Sequence, residues 1–369
     1  MKNSMGSSVI LTIFGESHGN GIGAVLDGLA PGIEVDEEFI RSQLSLRRPV
    51  GAISTPRKEQ DNFVIESGVF NGKTTGTPVC IVIPNENTRS ADYGALRSKA
   101  RPGHADYTAY CKYHGFEDYR GGGHFSGRIT AGIVAAGAIA ISALKKKNIY
   151  IGTHIKRLAG VSDRDFGDYA LDISLLSKTE FAVLDSAAGE KMKDRILAAK
   201  DVGDSVGGVL ETAVTGLPSG VGEPWFDGVE NILSRALFAV PAVKGVEFGG
   251  GFALSDLTGS EANDPFYTEN GVTATLTNNN GGINGGITNG MPVIFRCAVK
   301  PTPTIHKPQK TVDFIKNENV TLTAGGRHDP CIVHRARVVI DSITAIALCD
   351  MLCGRFGTDW LGEQWNTVV

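Results

Sequence analysis

Cysteine is scarce and unpatterned: Cys80, Cys111, Cys297, Cys331, Cys349 and Cys353 show no C-x-x-C and no zinc-type spacing. That excludes a disulfide framework and a structural zinc site. Cys349 and Cys353 lie four apart among apolar residues, as buried free thiols of a reducing, cytoplasmic compartment would. Aromatic residues are only 7% and the net charge only −4. Neither nucleic acid nor an anionic membrane is therefore an expected partner. The longest apolar stretch, Ile129 to Leu144, is broken by Thr130, Gly132, Gly137 and Ser142, and is short for a bilayer span. Met1 to Ser8 holds one lysine and no apolar core, so no signal or transit peptide is read. No histidine or carboxylate run has ligand spacing, so no metal is expected. No serine or cysteine sits in a nucleophile elbow.

Glycine, in contrast, is abundant. It supplies 47 of 369 residues, about twice the usual ~7%, with no collagen period and no Gly/Ser linker. The excess must sit in ordered loops. Strands are expected at Val9–Phe14, Val79–Ile83, Tyr150–Lys156, Val209–Thr215 and Val293–Lys300, which are rich in β-branched residues. Helices are expected at Asp36–Arg47, Ile129–Lys147, Ala187–Lys200, Val229–Ala239 and Ile340–Arg355. Asp36 stands at an N-cap, with Glu37 and Glu38 where the helix dipole favours them. Without a regular βαβ rhythm this is an α+β chain, read as one domain over residues 1–369.

Two motifs mislead. Gly19-Asn20-Gly21-Ile22-Gly23-Ala24 fits a dinucleotide fingerprint, but Asp27-Gly28 and Pro31-Gly32 break the helix that must follow. Gly72-Lys73-Thr74 ends like a P-loop, but Ser67 stands where its first glycine belongs. The remaining glycine loops, Gly121–Gly123, Gly249–Gly251, Gly281–Gly286 and Gly325–Gly326, adjoin polar residues. Glycine lets backbone N–H groups approach an anion, so these loops point to a phosphate-bearing ligand.

Three loops carry histidine beside glycine: Gly15 to Gly19 with His18, Arg101 to Thr108 with His104, and Gly326 to Cys331 with His328 and Asp329. A loop imidazole titrates near pH 6.5 and suits proton transfer. Arg47 and Arg48 end an expected helix, while Arg89, Arg101, Arg128, Arg327, Arg335 and Arg337 fall in or beside these loops, and such arginines suit bidentate binding of carboxylates and phosphates.

Together these segments resemble the chorismate synthase family. The resemblance is carried by Phe14 to Gly19, Arg101 to Thr108, Tyr119 to Gly123, Ala242 to Glu247, Asn280 to Ile287, Lys300 to Thr304 and Arg327 to Cys331, in order along nearly the whole chain. It implies a β-α-β sandwich, with antiparallel sheets in the centre flanked by helices, assembled as a homotetramer. The implied reaction is trans-1,4 elimination of phosphate from 5-enolpyruvylshikimate 3-phosphate to give chorismate. Reduced FMN is required, kept reduced by NADPH or another reductant.

Carried over by motif, His18 would protonate the departing phosphate and His104 the reduced flavin. Asp329 would work with the flavin in removing the C6 proton. FMN contacts would come from His124, Phe125, Ser126, Pro241, Ala242, Gly285, Lys300, Pro301, Thr302, Pro303, Thr304 and Arg327. Arg47, Arg48, Arg101, Arg128 and Arg335 would bind the substrate's anionic groups. After the triple glycine many members read Arg-Ser-Ser-Ala-Arg, whereas this chain reads His124 to Arg128, which replaces the first cation by an imidazole. Two rival classes are a flavin-dependent oxidoreductase, which would consume reductant with each product, and a regulator that binds a phosphorylated metabolite without turnover.

Overall fold

The structure, a computed structural model, describes residues 2–49, 51–55, 60–86, 97–323 and 328–362. Its helices are α1 (Glu37–Leu46), α2 (Asp106–Tyr113), α3 (Thr130–Lys146), α4 (Tyr169–Leu176), α5 (Ser186–Asp201), α6 (Val229–Phe238), α7 (Gly259–Ala262) and α8 (Val333–Phe356). The first antiparallel sheet contains β1 (Ser4–Met5), β2 (Ile10–Gly15), β3 (Gly21–Asp27), β4 (Val64–Ser67) and β5 (Val79–Pro84), ordered β1-β2-β3-β5-β4. The second contains β6 (Tyr150–Leu158), β7 (Val161–Ser162), β8 (Gly208–Thr215), β9 (Val243–Phe248) and β10 (Val293–Val299). Its order is β9-β10-β8-β6-β7.

The α+β class and the antiparallel sheets are as expected. The β-α-β sandwich is also as expected, and only the placing of helices outside it needs correcting, for α3 and α8, which form its middle layer. Helix α3 is apolar all round, with 14 of 17 residues buried, and α8 buries 20 of 24. Helices lacking a polar face must be covered on every side. They lie between the sheets: α3 packs on the first, α8 on the second, and each on the other. Gly137 permits the close helix crossing, since a Cβ there would stand 2.3 Å from that of Ser342. By length and hydropathy Gly127–Lys146 could cross a bilayer, and 89% of its apolar window is buried inside the protein instead. Burial, rather than shortness, marks it as core.

On the far face of the second sheet, four side chains stand in register across four strands: His154 (β6), Glu211 (β8), Arg296 (β10) and Glu247 (β9). Imidazole Nε2 lies 3.0 Å from Glu211 and Nδ1 2.8 Å from Asp163, while Arg296 contacts Glu211 at 3.2 Å and Glu247 at 2.6 Å. Charges alternate across the sheet.

Asp350 of α8 anchors the N-terminal segment. Its Oδ1 accepts from the N–H groups of Ser7, Ser8 and Val9 at 2.9, 2.6 and 2.9 Å. Asp350→Ala strands these donors and costs about 1–3 kcal/mol. The check is a fall in the urea midpoint, and an unchanged midpoint contradicts it.

Candidate active site

A cavity of about 800 Å³ opens where the first sheet, the start of α3 and the start of α8 converge. Ile129, Ile133, Val240, Pro241, Ala336 and Val339 give it an apolar wall. Eight cations (Arg47, Arg48, Arg97, Arg101, Arg128, Lys244, Lys300 and Arg335) face five carboxylates across the rest. The surplus of positive charge favours polyanionic ligands.

His18 follows β2 and is buried beneath Gly121. The three glycines Gly121, Gly122 and Gly123 have φ of 58°, 83° and 51°, a region costly to other residues. A Cβ on Gly121 would fall 2.2 Å from His18 Cε1. The loop also locks the histidine segment, since Ser17 N–H donates to Gly123 O at 3.1 Å. His124 Nδ1–H donates to Gly15 O at 2.8 Å, which fixes its tautomer and leaves Nε2 as the other ring position. Gly121→Ala should displace the His18 ring with secondary structure intact. The NMR resonances of the ring and circular dichroism check this, and an unshifted ring contradicts it.

His104 meets the Thr304 hydroxyl through Nε2. Burial first, then the charges of Arg101, Lys300 and His328, push its pKa down to about 4, against the pull of Asp106. Its ring is neutral at neutral pH. Lys300 Nζ donates to Gly103 O at 2.7 Å, tying the histidine turn to the Lys300–Thr304 segment. Arg101 is held by Asp106 through two 2.8 Å contacts.

Asp61 is the hub of the other arginines. It pairs with Arg47 at 2.8 Å and with Arg128, which also donates to Asn85 Oδ1 at 3.1 Å. Burial opposes ionisation of Asp61, but the two guanidiniums outweigh it and hold the carboxyl below its usual range. Arg48 donates to Gln60 O. Arg335 donates to Arg47 O at 2.7 Å and pairs with Asp329, whose other oxygen accepts Thr55 N–H at 2.9 Å.

The cavity thus gathers Arg47, Arg48, Arg101, His104, His124, Phe125, Ser126, Arg128, Pro241, Ala242, Lys300, Pro303, Asp329 and Arg335. His18 lies behind its wall. Thr304 is buried against His104, and Thr302 accepts the Ser205 hydroxyl through its carbonyl. Pro301 and Thr302 belong to the same segment without lining the cavity, and Gly285 lies apart in the Ile283–Thr288 hairpin. Arg89 and Arg327 lie outside the described residues. Of the described glycine loops named from the sequence, Gly121 and Gly122 line the cavity. Gly249 and Gly281 pack on each other instead, a Cβ on Gly249 standing 2.5 Å from Gly281 N, and Gly325–Gly326 lie outside the described residues.

A sequence model of chorismate synthase matches residues 9–353. The chain belongs to the chorismate synthase family. It is accordingly a lyase. Chorismate synthase of Thermococcus kodakarensis is 45% identical over 350 residues, covering 95% of this chain and 97% of the relative. That of Dehalococcoides mccartyi strain BAV1 is 46% identical over 354 residues, covering 95% and 96%. A crystal structure of chorismate synthase superposes with a TM-score of 0.75 at 28% identity, covering 96% of this chain and 94% of the other.

Sequence reasoning missed several residues that line this cavity: Asp61, Thr55, Arg97 and Lys244. Asp61 carries no local motif, and its importance arises only when folding brings Arg47 and Arg128 to it.

Proposed function

We propose that this cavity eliminates phosphate from 5-enolpyruvylshikimate 3-phosphate to give chorismate, with reduced FMN as cofactor. The observation that carries this is the convergence of His104, Asp329 and a ring of arginines on one cavity. A binding protein needs the arginines, but not the acid–base groups. A cavity of about 800 Å³ with one apolar wall and a cationic remainder suits a planar flavin carrying a phosphate beside a small polyanion.

Phe125, Pro241, Ala242, Lys300 and Pro303 would hold FMN, and Arg47, Arg48, Arg101, Arg128 and Arg335 would hold the substrate's carboxylates and phosphate. When bound, reduced FMN supplies the electron that assists loss of phosphate. His18 would donate a proton to the departing phosphate, neutralising charge as it develops. His104 must gain a proton before it can act as an acid, and an anionic ligand offsets the charges of Arg101, Lys300 and His328 that oppose this. Asp329 would receive the substrate proton, its carboxylate held in plane by Thr55 N–H and Arg335.

We read the enzyme as a cytoplasmic homotetramer fed by an outside flavin reductant. Trp225, Phe226 and Phe252 are each more than four-fifths exposed, which supports burial against further copies. The functional reading is tested with flavin limiting under anaerobic conditions. Many products per reduced FMN are expected, and one product per FMN would instead mark an oxidoreductase.

A further inference from the structure

We propose that Ser54 and His334 form a positioning pair for Asp329, acting through the backbone N–H of Thr55. The proposal rests on the functional reading above and concerns residues that it leaves without a role. Ser54 Oγ lies 2.9 Å from His334 Nε2, and both residues are buried. Ser54 is followed directly by Thr55, whose N–H donates to Asp329 Oδ1 at 2.9 Å. The next residue of α8, Arg335, pairs with the other carboxylate oxygen and donates to Arg47 O at 2.7 Å. Two consecutive residues at the start of α8 thus grip both ends of the Arg47–Thr55 segment, and that segment grips Asp329. Lys200 adds a further tie to the same segment, donating to Ala52 O at 2.6 Å.

The chemistry of His334 fits a directional role rather than a charged one. Burial, and then the neighbouring Arg335 charge, push its pKa down to about 3, so the ring is neutral. Its Nδ1 is buried and has no hydrogen-bond partner among the described residues. An apolar residue packed on Phe181 would fill this place without that penalty. What the imidazole adds is the bond to Ser54. Fixing Ser54 fixes the Thr55 amide, and the amide and Arg335 together set the plane of the Asp329 carboxylate. Small errors in such placement cost large factors in rate.

The test compares Ser54→Ala with Ser54→Thr in the full-length protein, using phosphate release and amide hydrogen exchange at Thr55. Ser54→Ala should lower kcat about 10- to 100-fold, within the effect of a 1 Å misplacement, leave KM for 5-enolpyruvylshikimate 3-phosphate within about twofold, and speed exchange at Thr55. Ser54→Thr, which keeps the hydroxyl, should restore slow exchange and most of kcat. In an Asp329→Asn background Ser54→Ala should have no further effect on rate, because its action passes through that carboxylate. Unchanged exchange and kcat in Ser54→Ala, or an equal rate loss in both backgrounds, overturns the proposal. Wild-type protein that releases no phosphate overturns the functional reading itself, and the proposal with it, before any variant is compared.

Discussion

Asp329→Asn is expected to slow phosphate release by about 100-fold or more, the usual scale of a lost general acid–base group. Substrate affinity should stay within about threefold. Asparagine keeps the side-chain shape, and its carbonyl oxygen can still accept the Thr55 N–H that the carboxylate holds at 2.9 Å. What it loses is the ability to take a proton and the charge that pairs with Arg335. A freed Arg335 guanidinium leaves the anion-binding side of the cavity no weaker, so affinity and rate should separate. Equilibrium binding and single-turnover phosphate release measure the two quantities. A variant that turns over at the wild-type rate shows that Asp329 is not the proton acceptor. One that loses binding in proportion to rate shows that it serves the substrate's docking instead.

His154→Leu is the second large effect, on stability rather than chemistry. His154 is fully buried between Asp163 and Glu211. Burial opposes its charged form, but the hydrogen bonds and charges of these two carboxylates raise its pKa above the ordinary value. Leucine removes the bonds that His154 makes to both acids, leaving Glu211 with Arg296 and Asp163 with the N–H groups of Leu184 and Asp185. Breaking a buried pair in this way costs about 3–5 kcal/mol. The pH dependence follows from the directions. The raised His154 pKa gives stability that is complete below the unfolded value of ~6.5 and lost as pH rises through the folded value. Asp163 and Glu211 are lowered despite burial, because His154 bonds to both, so their contribution is present above ~4 and lost on acidification. The urea midpoint of the wild type should therefore decline from pH 6 to pH 9, and that slope should flatten in the variant. A variant as stable as the wild type refutes the ladder's role.

Much of the frame was legible in the sequence because it depends on local pattern. Asp36 caps α1 through Glu38 N–H and Phe39 N–H as expected, and α3, α5, α6 and the five expected strands lie within a few residues of their expected ends. Strand β3 was hidden by its glycines. A Cβ on Gly23 would sit 2.4 Å from the Phe14 ring, so the strand needs the residue that makes it look like a loop. Helix α8 begins seven residues before the expected Ile340, because His334, Arg335 and Arg337 interrupt its apolar pattern. His334 and Arg337 are nonetheless buried, Arg337 contacting Asp341 and Thr179 O, while Arg335 serves the cavity. The sandwich came from the family resemblance alone, because the all-round apolarity of α3 speaks of burial without naming the neighbours. For the site, histidines and arginines in loop motifs were legible one by one. Their mutual arrangement was not, since Asp61 with Arg47 and Arg128, or Thr55 with Asp329, are contacts between distant parts of the chain.

The most direct measurement is anaerobic mixing of the protein with dithionite-reduced FMN and 5-enolpyruvylshikimate 3-phosphate, following phosphate, chorismate absorbance and the flavin spectrum together. Phosphate and chorismate should appear in equal amounts over many turnovers, with the flavin still reduced at the end. Product formation that oxidises the flavin one-for-one, or ligand binding with no phosphate released, contradicts an elimination at this cavity.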